Sequence, residues 1–209
     1  MNERGDGDIT AAVIGSVFIE NGADGFELDE EGLGDATLTA LGSSFDNNGV
    51  TRVGGDDGLD IDESEDGSIW LNAVDSTFNG STDDGIGLDE SDDGDLHITL
   101  VQVEASSNDD SGISADEGAS GNYEAKFVLV TADENADKGA DMTEAGAGDF
   151  DGRAVTSSFS FNDDDGIAVE QLDGGSGVLH LVNVTLDGNG NEPPIDADGV
   201  DVIENGPSS

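Results

Sequence analysis

The stretch "DDGIGLDE", residues 83–90, holds four carboxylates and two apolar residues, Ile86 and Leu88. Its counterparts recur along the whole chain. Aligned on Gly85, they give Gly25, Gly58, Gly112, Gly139, Gly166 and Gly199, spaced by 27 residues except for 33 at the first and last steps. A second glycine follows nine residues later in six copies: Gly34, Gly67, Gly94, Gly121, Gly148 and Gly175. With Gly7 they mark seven units after a lead-in of residues 1–6. The units are 7–33, 34–66, 67–93, 94–120, 121–147, 148–174 and 175–207. Six extra residues in each long unit lie around "VTRVGG" (50–55) and "NEPPID" (191–196). A fixed period of this length is the mark of a repeat architecture.

Within a unit, apolar residues alternate. One row reads Phe26, Leu59, Ile86, Ile113, Ala140, Ile167, Val200, and two positions on come Leu28, Ile61, Leu88, Ala115, Met142, Val169, Val202. Alternation with period two predicts strands with one buried face. A second strand follows the second glycine (Leu38, Leu71, Ile98, Ala125, Gly152, Leu179), and a third contains Phe18, Phe45, Phe78, Ala105, Ala132, Phe159 and Leu186. Equivalent residues share a register, so the strands stack in parallel. The fold class is all-β: a parallel β-helix, or β-solenoid, with three short strands per coil. Seven coils at about 4.8 Å predict a rod roughly 34 Å long.

A polar column lies three residues beyond the phenylalanine row: Asn21, Asn48, Ser81, Asn108, Asn135, Asn162, Asn189. Asparagine tolerates a left-handed turn, and stacked amides bond from coil to coil. The pattern in "SSFDNN" (43–48) and "SSFSFN" (157–162) resembles the right-handed parallel β-helix of the pectate-lyase-like (pectin lyase fold) superfamily. That fold carries an asparagine ladder at a tight turn. Right-handed winding is what the resemblance and the general crossover rule imply. The fold hosts lyases, hydrolases, adhesins and stalks, so it does not choose a function.

Composition alone points the other way. Fifty acidic residues stand against five basic ones, for a net charge of −45, and low hydrophobicity with high charge marks disorder. The repeat overrides that. Absence of cysteine excludes disulfides and thiolate metal sites. No apolar run is long enough to span a bilayer, and the start "MNERGDGDIT" has no signal-peptide pattern. The charge excludes nucleic acid and anionic membrane as direct partners. It favours cations, or an environment rich in salt; the chain is then either cytosolic or, as the leading expectation has it, an extracellular or cell-surface piece of a larger exported protein.

The carboxylates also form columns. One is Glu30, Glu63, Glu90, Glu117, Glu144, Gln171, Glu204; others run through Asp89 and Asp116, and through Asp56, Asp83, Asp110, Asp137 and Asp164. Two unit charges about 4.8 Å apart repel by roughly 0.9 kcal/mol in water, and more near a protein surface. Summed over several columns this rivals the stability of a domain, roughly 5–15 kcal/mol. Bound Ca²⁺ offers one offset, with Asp56, Asp83, Asp89, Glu90, Asp110, Asp116, Glu117, Asp137 and Asp164 as candidate ligands. Molar salt offers another. "DENADKGADMTE" (133–144) matches the ligand positions of an EF-hand loop, but Lys138 stands where the turn needs glycine.

One face breaks the acidic rule. The outward positions after the second glycine read Thr37, Trp70, His97, Glu124, Asp151, Val178 and Thr39, Asn72, Thr99, Lys126, Arg153, His180. The resemblance implies that this sheet lines a polysaccharide groove. Trp70, His97, Lys126, Arg153 and His180 are then candidate ligand contacts, with Trp70 stacking on a sugar ring. If the chain is an enzyme, Lys126 or Arg153 is the base of a β-eliminating lyase, with Glu124 and Asp151 holding Ca²⁺. Alternatively, His97 and the carboxylates serve a hydrolase. The plainer alternative is an ion-pair cluster of Glu124, Lys126, Asp151 and Arg153 on adjacent coils. The leading expectation is a non-catalytic structural or adhesive segment stabilised by calcium or high salt. A polysaccharide lyase or hydrolase and a self-assembling, end-to-end filament subunit stand as alternatives.

Overall fold

The computed structural model describes residues 1–49 and 56–206. Sixteen strands, β1 to β16, alternate along the chain between two eight-stranded parallel sheets. The first sheet contains β1 (Asn2–Glu3), β3 (Phe26–Glu30), β5 (Leu59–Glu63), β7 (Ile86–Glu90), β9 (Ile113–Glu117), β11 (Ala140–Glu144), β13 (Ile167–Gln171) and β15 (Ile195–Asp198). The second contains β2 (Ile9–Ile14), β4 (Ala36–Leu41), β6 (Ile69–Val74), β8 (Leu96–Val101), β10 (Tyr123–Val128), β12 (Phe150–Val155), β14 (Gly177–Val182) and β16 (Val200–Asn205). Each strand pairs with the strand one coil away. Ile86 lies opposite Leu59 and Ile113, as the period requires. The chain is a parallel β-solenoid of about seven turns. The segment "VTRVGG" lies outside the described residues.

The core is filled from both sheets and from the phenylalanine row. Ile86, Leu59, Leu96 and Phe78 have no exposed surface. Phe18 stacks on Phe45 at 5.1 Å and Phe45 on Phe78 at 4.8 Å, close to the rung spacing. Ala105 and Ala132 interrupt the row. The missing volume returns across the core, where Leu100 and Phe127 occupy the positions held by Ala40 and Ala73 in the rungs with phenylalanine. Large pairs with small in the five rungs from Phe45 to Phe159, which keeps total volume nearly constant there.

The third strand is reduced to a single paired residue per coil, a column of isolated bridges through Val17, Ser44, Thr77, Glu104, Thr131, Ser158 and Thr185. The cause is backbone geometry on both sides. Two residues earlier stands a left-handed residue (Gly42, Asp75, Gln102, Leu129, Thr156), and three residues later another (Asn47, Gly80, Ser107, Glu134, Phe161). No strand extends through such positions. The second of these precedes the asparagine column, so the left-handed turn expected of the asparagines belongs to their neighbours. The asparagines act through their amides instead. Asn108 Nδ2 donates to Asn135 Oδ1 at 3.0 Å, and Asn135 Nδ2 donates to Asn162 Oδ1 at 3.0 Å.

The second-glycine column serves close approach. A Cβ on Gly94 would lie 1.3 Å from the carbonyl oxygen of Gly67, and one on Gly121 would lie 1.4 Å from that of Gly94. Only glycine lets these turns nest at the rung spacing.

Two boundaries differ from the repeat reading. Residues 1–6 are not a mere lead-in, because Asn2 and Glu3 pair with Asp29 and Glu30 as β1. In the last coil the first-row partners are Ile195 and Ala197, opposite Ile167 and Val169. Val200 and Val202 lie instead opposite Gly177 and Leu179 in the other sheet, and Glu204 lies opposite Leu181. Gly199, with φ of 73°, turns the chain between β15 and β16. "NEPPID" is therefore the approach to β15, and the step from Ile167 to Ile195 is 28 residues.

Candidate functional site

The outer face of the second sheet holds a trough of about 560 Å3. Registered pairing builds it: Thr37, Trp70, His97 and Glu124 follow one another across β4, β6, β8 and β10, with Thr39, Asn72, Thr99 and Lys126 alongside. The Trp70 ring is 44% exposed. It stacks on His97 with centroids 3.7 Å apart and planes inclined by 22°. The His97 Nδ1 lies 3.3 Å from Glu124 and its Nε2 3.7 Å from Asp95. An exposed indole stacked on an imidazole is a preformed flat platform. Hydroxyl and amide groups of Thr37, Thr39, Asn72 and Thr99 surround it.

Of the ligand candidates on this face, Trp70, His97 and Lys126 line the trough, together with Glu124. Asp151, Arg153 and His180 continue the same columns on β12 and β14 but do not line it. The expected ion-pair cluster does not form. Among the described residues, no carboxylate comes within 4.0 Å of the Lys126 ammonium or the Arg153 guanidinium. Lys126 thus presents a cation to the trough. Lys138, by contrast, is paired with Asp137 at 3.1 Å and Asp141 at 2.8 Å.

The carboxylate columns divide into two kinds. On the outside, among the described residues, two groups each bring carboxylate oxygens of three acidic residues within 4.8 Å of one another: Asp24, Glu27 and Asp60, and Asp57, Asp83 and Asp84. Burial, followed by the charge of Asp84, pushes the Asp57 carboxyl up to about 8. Burial is also the main cause that pushes Asp60 and Asp84 up to about 7 and Asp62 up to about 6. Of the candidate calcium ligands only Asp83 belongs to either group. Asp56, Asp89, Asp110, Asp116, Asp137 and Asp164 do not.

Glu90 and Glu117 are not outer groups at all. Together with Glu30, Glu63 and Glu144 they are at most 1% exposed. These two candidate calcium ligands thus belong to a column that lies inside the rod. At an effective dielectric of about 20, two charges about 4.8 Å apart repel by roughly 3.5 kcal/mol. Five ionised glutamates in a row would thus carry a repulsion comparable to the stability of a whole domain, roughly 5–15 kcal/mol.

No protein-family model matches the chain, and searches of curated proteins and of solved structures found no similar protein.

Proposed function

We propose that this chain is a non-catalytic structural rod of an extracellular protein that binds polysaccharide in the Trp70–His97 trough. The observation that carries the reading is the exposed indole stacked on the His97 imidazole, 3.7 Å away, in a trough whose polar lining is hydroxyls, an amide, the Lys126 ammonium and the Asp35 and Glu124 carboxylates. A sugar ring has an apolar face for the indole and hydroxyls for Thr37, Asn72 and Thr99. The ammonium of Lys126 adds affinity for a uronate. Amide bonds from coil to coil in the asparagine column support kinship with the pectate-lyase-like superfamily, with right-handed winding. Cations, Ca²⁺ or ambient salt, offset the outer carboxylates. The group at Asp57, Asp83 and Asp84 supplies the hard oxygen donors that Ca²⁺ takes.

Glu124, Lys126, Asp151 and Arg153 all stand exposed on an open sheet, which favours binding over water-excluded chemistry. The test is a pull-down on neutral and acidic polysaccharides. Wild type is expected to be retained, and Trp70→Ala to be lost. Equal retention of both proteins would sink the trough as the binding site. Release of unsaturated uronide, abolished in Lys126→Ala, would replace the reading with a lyase.

A further inference from the structure

The buried glutamates do more than avoid water. Glu3, Glu30, Glu63, Glu90, Glu117 and Glu144 follow one another in register at the ends of their strands, and Gln171 is the next rung. One oxygen of most rungs caps the turn that follows. Glu30 accepts from Gly32 N–H at 3.1 Å, Glu90 from Asp92 at 3.2 Å, and Glu144 from Gly146 at 2.9 Å. The remaining oxygens meet no donor: Glu30 Oε1, both oxygens of Glu63, and Oε2 of Glu90, Glu117 and Glu144.

The rungs that carry these oxygens stack in register. Each carboxyl from Glu3 to Glu144 is within hydrogen-bonding reach of the next. Two carboxylates cannot bond, because both only accept; a protonated carboxyl donates. A proton between rungs therefore satisfies two orphans at once. Calcium fits less well. It takes six to eight oxygens, whereas one oxygen of Glu30, Glu90 and Glu144 already accepts from an N–H of the turn, a donor that repels a cation. Gln171 shows the same position occupied by a permanently neutral group. Its Oε1 accepts from Phe150 N–H at 3.0 Å, and its Nε2 donates to Gly174 O at 2.8 Å.

We propose that the glutamate column is a proton-binding site, whose carboxylic O–H groups donate from rung to rung and hold the turns of the rod together at neutral pH. The groups facing it are its own rungs and Asp92, which faces Glu90. On the second sheet Tyr123 of β10 is kept neutral by burial, and its charged neighbours are Asp116 and Asp141. Burial, with the neighbouring rungs, pushes Glu63 up to about 9 and Glu117 up to about 8 from an ordinary 4.5. The folded state thus binds protons that the unfolded state releases. The column's contribution is full below about 4.5 and is lost as pH rises through about 8 to 9.

The test uses the full chain labelled with ¹³C at glutamate carboxyls only, so that the aspartates stay silent. A pH titration by NMR is expected to show a set of glutamates still protonated at pH 7, beside exposed ones that ionise in the ordinary range. Ionisation of every glutamate below pH 6 with the fold intact would overturn the proposal. In parallel, Glu63→Gln is expected to flatten the fall of melting temperature between pH 7 and 9, and Gln171→Glu to steepen it. Slopes equal to wild type in both variants would also overturn it. If Glu63→Gln does not fold, Gln171→Glu and the titration decide. Calcium that displaces the protons at constant pH would show that the column takes metal and would refute the assignment.

Discussion

Replacing Asn135 by alanine removes a rung of the asparagine ladder whose side chain makes four hydrogen bonds. Its side chain is 1% exposed. Its Nδ2 donates to Asn162 Oδ1 at 3.0 Å and to Ala105 O at 3.3 Å. Its Oδ1 accepts from Asn108 Nδ2 at 3.0 Å and Asn108 N–H at 3.1 Å. Not all of these partners are stranded by the change. Asn108 Nδ2 keeps its bond to Phe78 O, and Asn162 Oδ1 keeps the Asn135 N–H. Two groups lose this partner, the Asn108 N–H and the Ala105 carbonyl. A buried polar group left unsatisfied costs about 1–3 kcal/mol, so the change destabilises by about 2–6 kcal/mol. For a chain of this size each kcal/mol shifts the midpoint by about 2–4 °C. The expected fall is therefore on the order of 10 °C, read by circular dichroism melting at fixed salt and pH. A shift no larger than that of an exposed substitution, within about 0.5 kcal/mol, would refute the claim that the ladder holds the turns together.

The ladder also predicts a gain. Ser81 interrupts it, and its hydroxyl has no partner; Ser81→Asn is expected to restore the donor to Asn108 and raise stability by about 1 kcal/mol, and a lower melting point would count against it. The pairing of large and small residues across the core predicts that Phe127→Ala costs about 3–5 kcal/mol. Adding Ala132→Phe recreates the Ala40–Phe45 arrangement and should recover more than half of that loss, whereas an additive loss would mean that the two positions do not share volume. The outer carboxylates predict that the melting point is lowest in chelator at low salt. Rescue by Ca²⁺ alone would indicate specific sites. Equal rescue by about 1 M KCl, where the screening length is about 3 Å, would indicate screening, and identical melts in all three would remove the need for any offset.

Much of the rod was legible in the sequence because its period is nearly constant. The contact of Trp70 with His97 follows from a spacing of 27 residues. The orientation of the rings and the freedom of Lys126 do not, because rotamers set them. The glutamate column was misplaced by charge. The alternation that puts Ile86 and Leu88 inside puts Glu90 inside too; a sequence states that a residue is acidic, not whether it is ionised. The last coil failed for another reason. Ile195 and Ala197, and Val200 and Val202, both alternate, and only the hydrogen-bond register shows which pair faces Ile167 and Val169. The third strand was overread because left-handed residues such as Gln102, Leu129 and Phe161 are not types that announce such a turn.

Trp70 is the only tryptophan in the chain, so indole emission, excited beyond the absorption band of Tyr123, reports the trough. Titrating the folded protein with neutral and acidic polysaccharides should give a saturable change in that emission for at least one of them, weakened in Asn72→Ala or Lys126→Ala. Emission unchanged by every polysaccharide, with the protein folded throughout, would contradict the assignment of this face as a saccharide-binding surface.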